Sequence, residues 1–150
     1  MISPRTTQNL VTVAFLITTV VVITLTLIPL QGGGSKIPYL DKIVHFLMFG
    51  GWSFLFGWVF TIRFHQLRRK KKQADSSLLQ TDFSTTLNWI VIIGFLFGVI
   101  IEILQGILPI DRTPDIADTI ANGLGAISAA GTLKWVSTKS FYIKSVETKD

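Results

Sequence analysis

The residues able to do chemistry in this sequence stand out because their neighbours are apolar. His45, Glu102, Gln105, Asp118 and Asn122 lie inside long hydrophobic runs, and Asp41, Lys42, Asp111, Arg112 and Asp115 lie just beyond the ends of those runs. A buried carboxyl group such as Glu102 resists ionisation and suits a general acid or base, with the imidazole of His45 as its partner. Arg112 and Lys42 could hold a phosphate or carboxylate, the arginine with two parallel hydrogen bonds. His45 together with the carboxylates offers donors for a hard or borderline cation. Their spacing matches no ligand signature, so no metal and no cofactor is expected.

Residues three and four apart share one face of a helix. Asp41 with His45, Glu102 with Gln105, and Asp115 with Asp118 and Asn122 therefore form three polar stripes. The rise of 1.5 Å per residue sets their depth: Glu102 lies roughly 10 Å, and Gln105 and His45 roughly 6 Å, from the ends of their runs. All fall at one level, toward one side. Taken singly, Gln105 and Asn122 read as interhelical glue, and Asp115 or Asp118 as a helix cap. Glue does not explain why every ionisable group in the runs keeps to one depth, and an ionisable side chain at such a depth costs about 3 kcal/mol on insertion scales. The set is expected to converge on a polar site.

The elements that would position these residues are membrane spans. Of 150 residues 49% are hydrophobic and 15% charged, with a mean hydropathy of +0.52, where a soluble domain carries about 25% charged residues. Four runs, 10–29, 43–62, 87–108 and 116–136, each approach the roughly 20 residues that cross a bilayer. The expected fold is all-α, a single domain over 1–150 made of four transmembrane helices. The first run is too long for a signal-peptide core and lacks a small-residue cleavage site at Ile28-Pro29-Leu30-Gln31-Gly32, so it is expected to remain as a span. Gly32-Gly33-Gly34-Ser35 would end it in a flexible turn. The segment 63–86, with Arg68-Arg69-Lys70-Lys71-Lys72, reads as a solvated basic loop, and His65 within it as a solvated side chain.

Charge orients the bundle. With that loop in the cytoplasm, Arg5, Arg63, Arg68, Arg69, Lys70, Lys71, Lys72, Lys134, Lys139, Lys144 and Lys149 lie inside, against Lys36, Lys42 and Arg112 outside. This bias puts both termini in the cytoplasm and the polar site at the outer face. Trp58, Trp89 and Trp135 then fall at the inner interface, where aromatic belts form. The net charge of +5 thus reflects orientation, and no nucleic-acid partner is expected. The absence of cysteine excludes a disulfide framework and a thiol nucleophile. Ala117, Ala121, Gly125 and Ala129 on the fourth run, Gly94 and Gly98 on the third, and Ser53 and Gly57 on the second predict close helix contacts.

The combination Asp41-Lys42-Ile43-Val44-His45-Phe46, then Glu102 with Gln105, then Arg112, Asp115, Asp118, Asn122 and Gly125 resembles the VanZ-like family of small bacterial membrane proteins. The resemblance runs from about Asp41 to Gly131 and leaves out the first run and the basic segment. It implies a multi-pass protein of the bacterial cytoplasmic membrane that contributes to resistance against the glycopeptide teicoplanin, after the member that names the family. It implies no particular reaction.

Three functions remain in competition at this level. One is an outward site, formed by Asp41, Lys42, Gln105, Arg112, Asp115, Asp118 and Asn122 with Glu102 and His45 as acid and base, that binds or modifies a membrane lipid or lipid-linked cell-wall precursor. The second is a non-catalytic accessory or scaffold protein whose polar cluster is structural. The third, a small transporter, ranks last because the inner halves of the runs carry no ionisable residue to continue a pathway.

Overall fold

The computed structural model describes the backbone of residues 4–28, 39–70, 76–110 and 113–147, and the side chains of 6–28, 39–61, 84–110 and 113–137. Asp111 and Arg112, the Gly32–Ser35 turn, His65 and the basic side chains 68–72 lie outside the described side chains. Four helices make up the fold: α1 (Pro4–Leu27), α2 (Leu40–Lys70), α3 (Ser76–Ile107) and α4 (Ile116–Glu147). No strand occurs among the described residues.

Three of these helices are long and apolar enough to cross a membrane, over Thr6–Leu27, Leu40–Thr61 and Ser84–Ile107. Their limits sit about three residues earlier than the hydrophobic runs suggest at the starts of α1, α2 and α3. The fourth helix falls short of them because Asp118, Asn122 and many Ala, Gly, Ser and Thr residues dilute its apolar content. Its outward face is nevertheless apolar, with Ile116, Ile120, Leu124, Ile127 and Trp135 exposed. One expectation is corrected. The segment 63–86 is helical for most of its length, since α2 runs on to Lys70 and α3 starts at Ser76. Leu, Arg, Lys and Gln are good helix formers, and a helix does not stop where its hydrophobic part ends.

Threonine is tolerated in α1 because Thr12, Thr19 and Thr26 each donate their hydroxyl to the carbonyl four residues earlier, at 2.7–2.9 Å. This satisfies the hydroxyl inside its own helix, as hydrocarbon surroundings require. Helix α2 packs chiefly on α4, with α3 against both, while α1 lies against α2 and α3 and makes no contact with α4 among the described residues. The α2–α4 approach is closest at Gly50 and Gly125, where a Cβ on Gly125 would sit 2.8 Å from the Gly50 amide nitrogen. Of the predicted small-residue stripe, Ala121, Gly125 and Ala129 are buried and Ala117 is exposed.

The apolar core joins Val22 of α1, Phe49 and Trp52 of α2 and Ile101 of α3, bordered by Phe15, Phe56 and Phe97. Trp52 stacks on Phe97 with ring centroids 4.4 Å apart. Its indole N–H donates to Thr19 Oγ1 at 2.8 Å, which fixes α1 to α2. The opposite surfaces carry exposed aliphatic side chains on every helix, with exposed Phe and Trp beside them on some, an inside-out distribution suited to lipid contact. Trp58, Trp89 and Trp135 are among them.

Candidate polar site at one end of the bundle

The polar residues of α2, α3 and α4 meet at the end of the bundle where α2 begins, α3 ends and α4 begins. Asp115 caps α4: its Oδ1 accepts from the Ala117 amide at 2.8 Å, and its carbonyl receives the amides of Asp118 and Thr119. A capping carboxylate satisfies one of the amides that the first helical turn leaves over. Tyr39, immediately before α2, adopts φ 61°, a left-handed conformation that is uncommon for a residue with a bulky side chain.

Lys42 gathers the acidic groups. Its Nζ contacts Asp41 Oδ2 at 2.7 Å and Asp118 Oδ1 at 2.8 Å, and pairs with Asp115 Oδ2. The ammonium thereby joins the start of α2 to the start of α4. The Lys42 hydrogen bond, supported by the cap to Ala117, holds the Asp115 carboxyl below its ordinary pKa.

Deeper in, His45 Nδ1 and Asn122 Oδ1 are 3.1 Å apart. With the amide oxygen toward the ring, Nδ1–H donates and Nε2 carries the lone pair. Nε2 faces Asp118 Oδ2 at 3.7 Å, too far for a hydrogen bond. Glu102 Oε2 accepts the backbone N–H of Asp115 at 2.9 Å. Among the described residues Glu102 Oε1 and Asn122 Nδ2 have no hydrogen-bond partner. Asn122 lies over Gly98, where a Cβ would come within 2.8 Å of its own Cβ. That glycine makes room for the amide beside α3.

Exposure is graded across the cluster. The side chains of Asp41 and Asp115 are 60% and 45% exposed, Lys42 23%, Asp118 12% and His45 5%, with Glu102 and Asn122 buried below. The first three form a mouth and the others a floor. The structure thus assembles Asp41, Lys42, His45, Glu102, Asp115, Asp118 and Asn122 from three helices. Gln105, on the same stripe as Glu102, is turned elsewhere: its Nε2 donates to the Thr26 carbonyl of α1 at 2.8 Å. Lys42, expected as an anion holder at the rim, has its charge engaged by three carboxylates of the chain itself.

Two positioning contacts have no signature in the sequence. One is the Asp115 backbone amide on Glu102, since a backbone donor carries no residue type. The other is the Thr26 carbonyl that receives Gln105.

The model of the VanZ/LLP1 family matches residues 3–137. The chain belongs to this family. The match takes in α1 and the basic segment, which the motif resemblance left out, and reaches from α1 through most of α4. No curated protein and no solved structure matches the chain.

Proposed function

We propose that this VanZ/LLP1-family protein is a four-span protein of the bacterial cytoplasmic membrane. In this reading both termini are cytoplasmic, and the site opens to the outer leaflet and receives the polar head of an envelope lipid or lipid-linked cell-wall precursor. The observation that carries the reading is the graded polar site: a mouth of Asp41, Lys42 and Asp115 over a floor of His45, Glu102, Asp118 and Asn122. It sits in a bundle whose outer surfaces are apolar. A ligand with a hydrocarbon part can lie against those surfaces while its head enters the mouth. Because carboxylates already hold Lys42, the anionic part of such a head falls to Arg112, whose fork matches a phosphate or carboxylate. Glu102, buried and half-satisfied, with His45 beside it, would supply acid–base chemistry if the head is modified. The family link makes reduced susceptibility to teicoplanin the phenotype to examine.

Lipidomics and native mass spectrometry on the purified protein test the binding. One lipid class should be enriched over the bulk membrane and lost in Arg112→Ala; no enrichment in the wild type, or full retention in the variant, overturns the reading. Glu102→Gln should keep the lipid but lose teicoplanin protection, and full protection would refute the acid–base part. Reporter fusions should place Gln31 outside and Ala74 inside; Gln31 inside would reverse the site's orientation.

A structural reading has its own support in the Asp115 cap and the Gln105–Thr26 bond. Under it, variants in the cluster lower stability in detergent and leave lipid retention unchanged wherever the protein stays folded.

A further inference from the structure

The floor of the site has a pattern that a lipid head alone does not explain. Each of three side chains has one polar atom beside a partner and a second one that no hydrogen bond engages. His45 is held through Nδ1 by Asn122, at 3.1 Å. Asp118 Oδ1 is ion-paired with the Lys42 ammonium at 2.8 Å, without the geometry of a hydrogen bond. Glu102 is held through Oε2 by the Asp115 amide, at 2.9 Å. Left over are His45 Nε2, which faces Asp118 Oδ2 at 3.7 Å, and Glu102 Oε1, which has no hydrogen-bond partner among the described residues although Glu102 is only 6% exposed. One ligand atom from each residue lies within 4.8 Å of the others.

We propose that His45, Glu102 and Asp118 form a three-ligand site for a divalent first-row cation of the Mn²⁺–Zn²⁺ type. Ligand bonds of about 2.0–2.2 Å in a tetrahedral arrangement put neighbouring donors roughly 3.3–3.6 Å apart. The 3.7 Å between His45 Nε2 and Asp118 Oδ2 is too long for a hydrogen bond but close to that edge. The partner of Nδ1 is what a metal-ligating histidine requires, since a hydrogen bond at one ring nitrogen fixes the tautomer and aims the other. Charge points the same way. Among the described residues Asp41, Glu102, Asp115 and Asp118 bring four carboxylates against the ammonium of Lys42, and a dication would compensate the two deepest. One imidazole and two carboxylates form a donor set on the hard side of zinc sites and suited to manganese. Asp41, Asp115 and Asp118 also lie within 4.8 Å of one another, but Lys42 binds all three and fills that role. Three protein ligands leave at least one coordination position for a ligand.

The inference does not rest on the identity of any lipid head. Its test is metal analysis and Mn²⁺, Co²⁺ and Zn²⁺ titration of the full chain in detergent, carried on a tag without histidine. One equivalent per chain is expected for at least one of the three ions. Co²⁺ should give the intense visible bands of a low-symmetry, four- or five-coordinate site, and saturating metal should raise the melting temperature. His45→Ala and Glu102→Gln should each weaken affinity at least about 100-fold. Asn122→Leu should weaken it about 10- to 100-fold through the aim of the ring. His65→Ala, at the only other histidine, should leave affinity unchanged.

Absence of stoichiometric binding and of any melting shift in the wild type overturns the proposal without recourse to variants. So does binding that survives His45→Ala and Glu102→Gln or disappears in His65→Ala. A protein that binds metal but enriches no lipid separates this site from the lipid reading.

Discussion

Replacing Gly125 with alanine tests whether the α2–α4 contact sets the geometry of the site. The added Cβ would lie 2.8 Å from the Gly50 nitrogen and 3.3 Å from its Cα, and closer still to the Phe46 carbonyl oxygen. All of these are backbone atoms, so no side-chain rotation relieves the overlap. The first contact must lengthen from 2.8 Å to the 3.4 Å at which ordinary van der Waals contact begins, so the helices separate by about 0.6 Å or more. Asn122 is one turn from Gly125 on the same helix. A displacement of that size stretches its 3.1 Å bond to His45 to about 3.7 Å, beyond hydrogen-bond range.

Overpacking of this kind costs about 1–3 kcal/mol, and the helix propensity of alanine over glycine returns up to about 1 kcal/mol. Gly51→Ala is the matched control, because nothing lies within 4 Å of its Cβ. The difference between the two variants isolates the overpacking, about 1–3 kcal/mol, or roughly 5- to 150-fold in the unfolding equilibrium. Unfolding by sodium dodecyl sulfate in detergent micelles, followed by circular dichroism, measures it. Equal midpoints for Gly125→Ala and Gly51→Ala would refute the reasoning, because the helices would then have room that the Gly50–Gly125 contact denies.

Two further perturbations probe the surroundings of the site. Gln105→Leu removes the side-chain hydrogen bond from α3 to the Thr26 carbonyl of α1; a loss of about 0.5–1.5 kcal/mol in the same unfolding assay is expected, and unchanged stability would show that the bond contributes nothing. Asp115 titrates below its ordinary value of 3.8 because Lys42 and the α4 cap favour its charged form, so its contribution is complete above that value and is lost as the pH falls through the lowered one. The melting-temperature gap between wild type and Asp115→Leu should therefore hold steady from pH 7 to about 5 and narrow below 3.8; a gap that closes near neutral pH would contradict the assignment.

Much of the architecture was legible in the residues themselves. Hydrophobic length is a local property of the chain, so α1, α2 and α3 could be placed as spans to within a few residues. The same holds for which polar groups could come together. Polar side chains in an apolar run are conspicuous wherever they occur, and seven of those singled out do meet at one end of the bundle. Helix ends were less legible, because α2 and α3 continue through polar residues whose helix propensity is high, and hydropathy does not report propensity.

What the sequence determined by itself is the set of groups, their depth along each helix and the apolar surface around them. Who faces whom was decided by tertiary structure. Glu102 and Gln105 share a stripe, yet one turns to Asp115 of the α4 cap and the other to Thr26 of α1. Lys42 could have met a ligand, and instead holds Asp41, Asp115 and Asp118. His45 and Asn122 meet across 77 positions of sequence. The physical reason is that a helix fixes the angle between its own side chains but not its rotation against a neighbour. That rotation follows from where two backbones can come closest, here at Gly50 and Gly125, and no single segment contains that information.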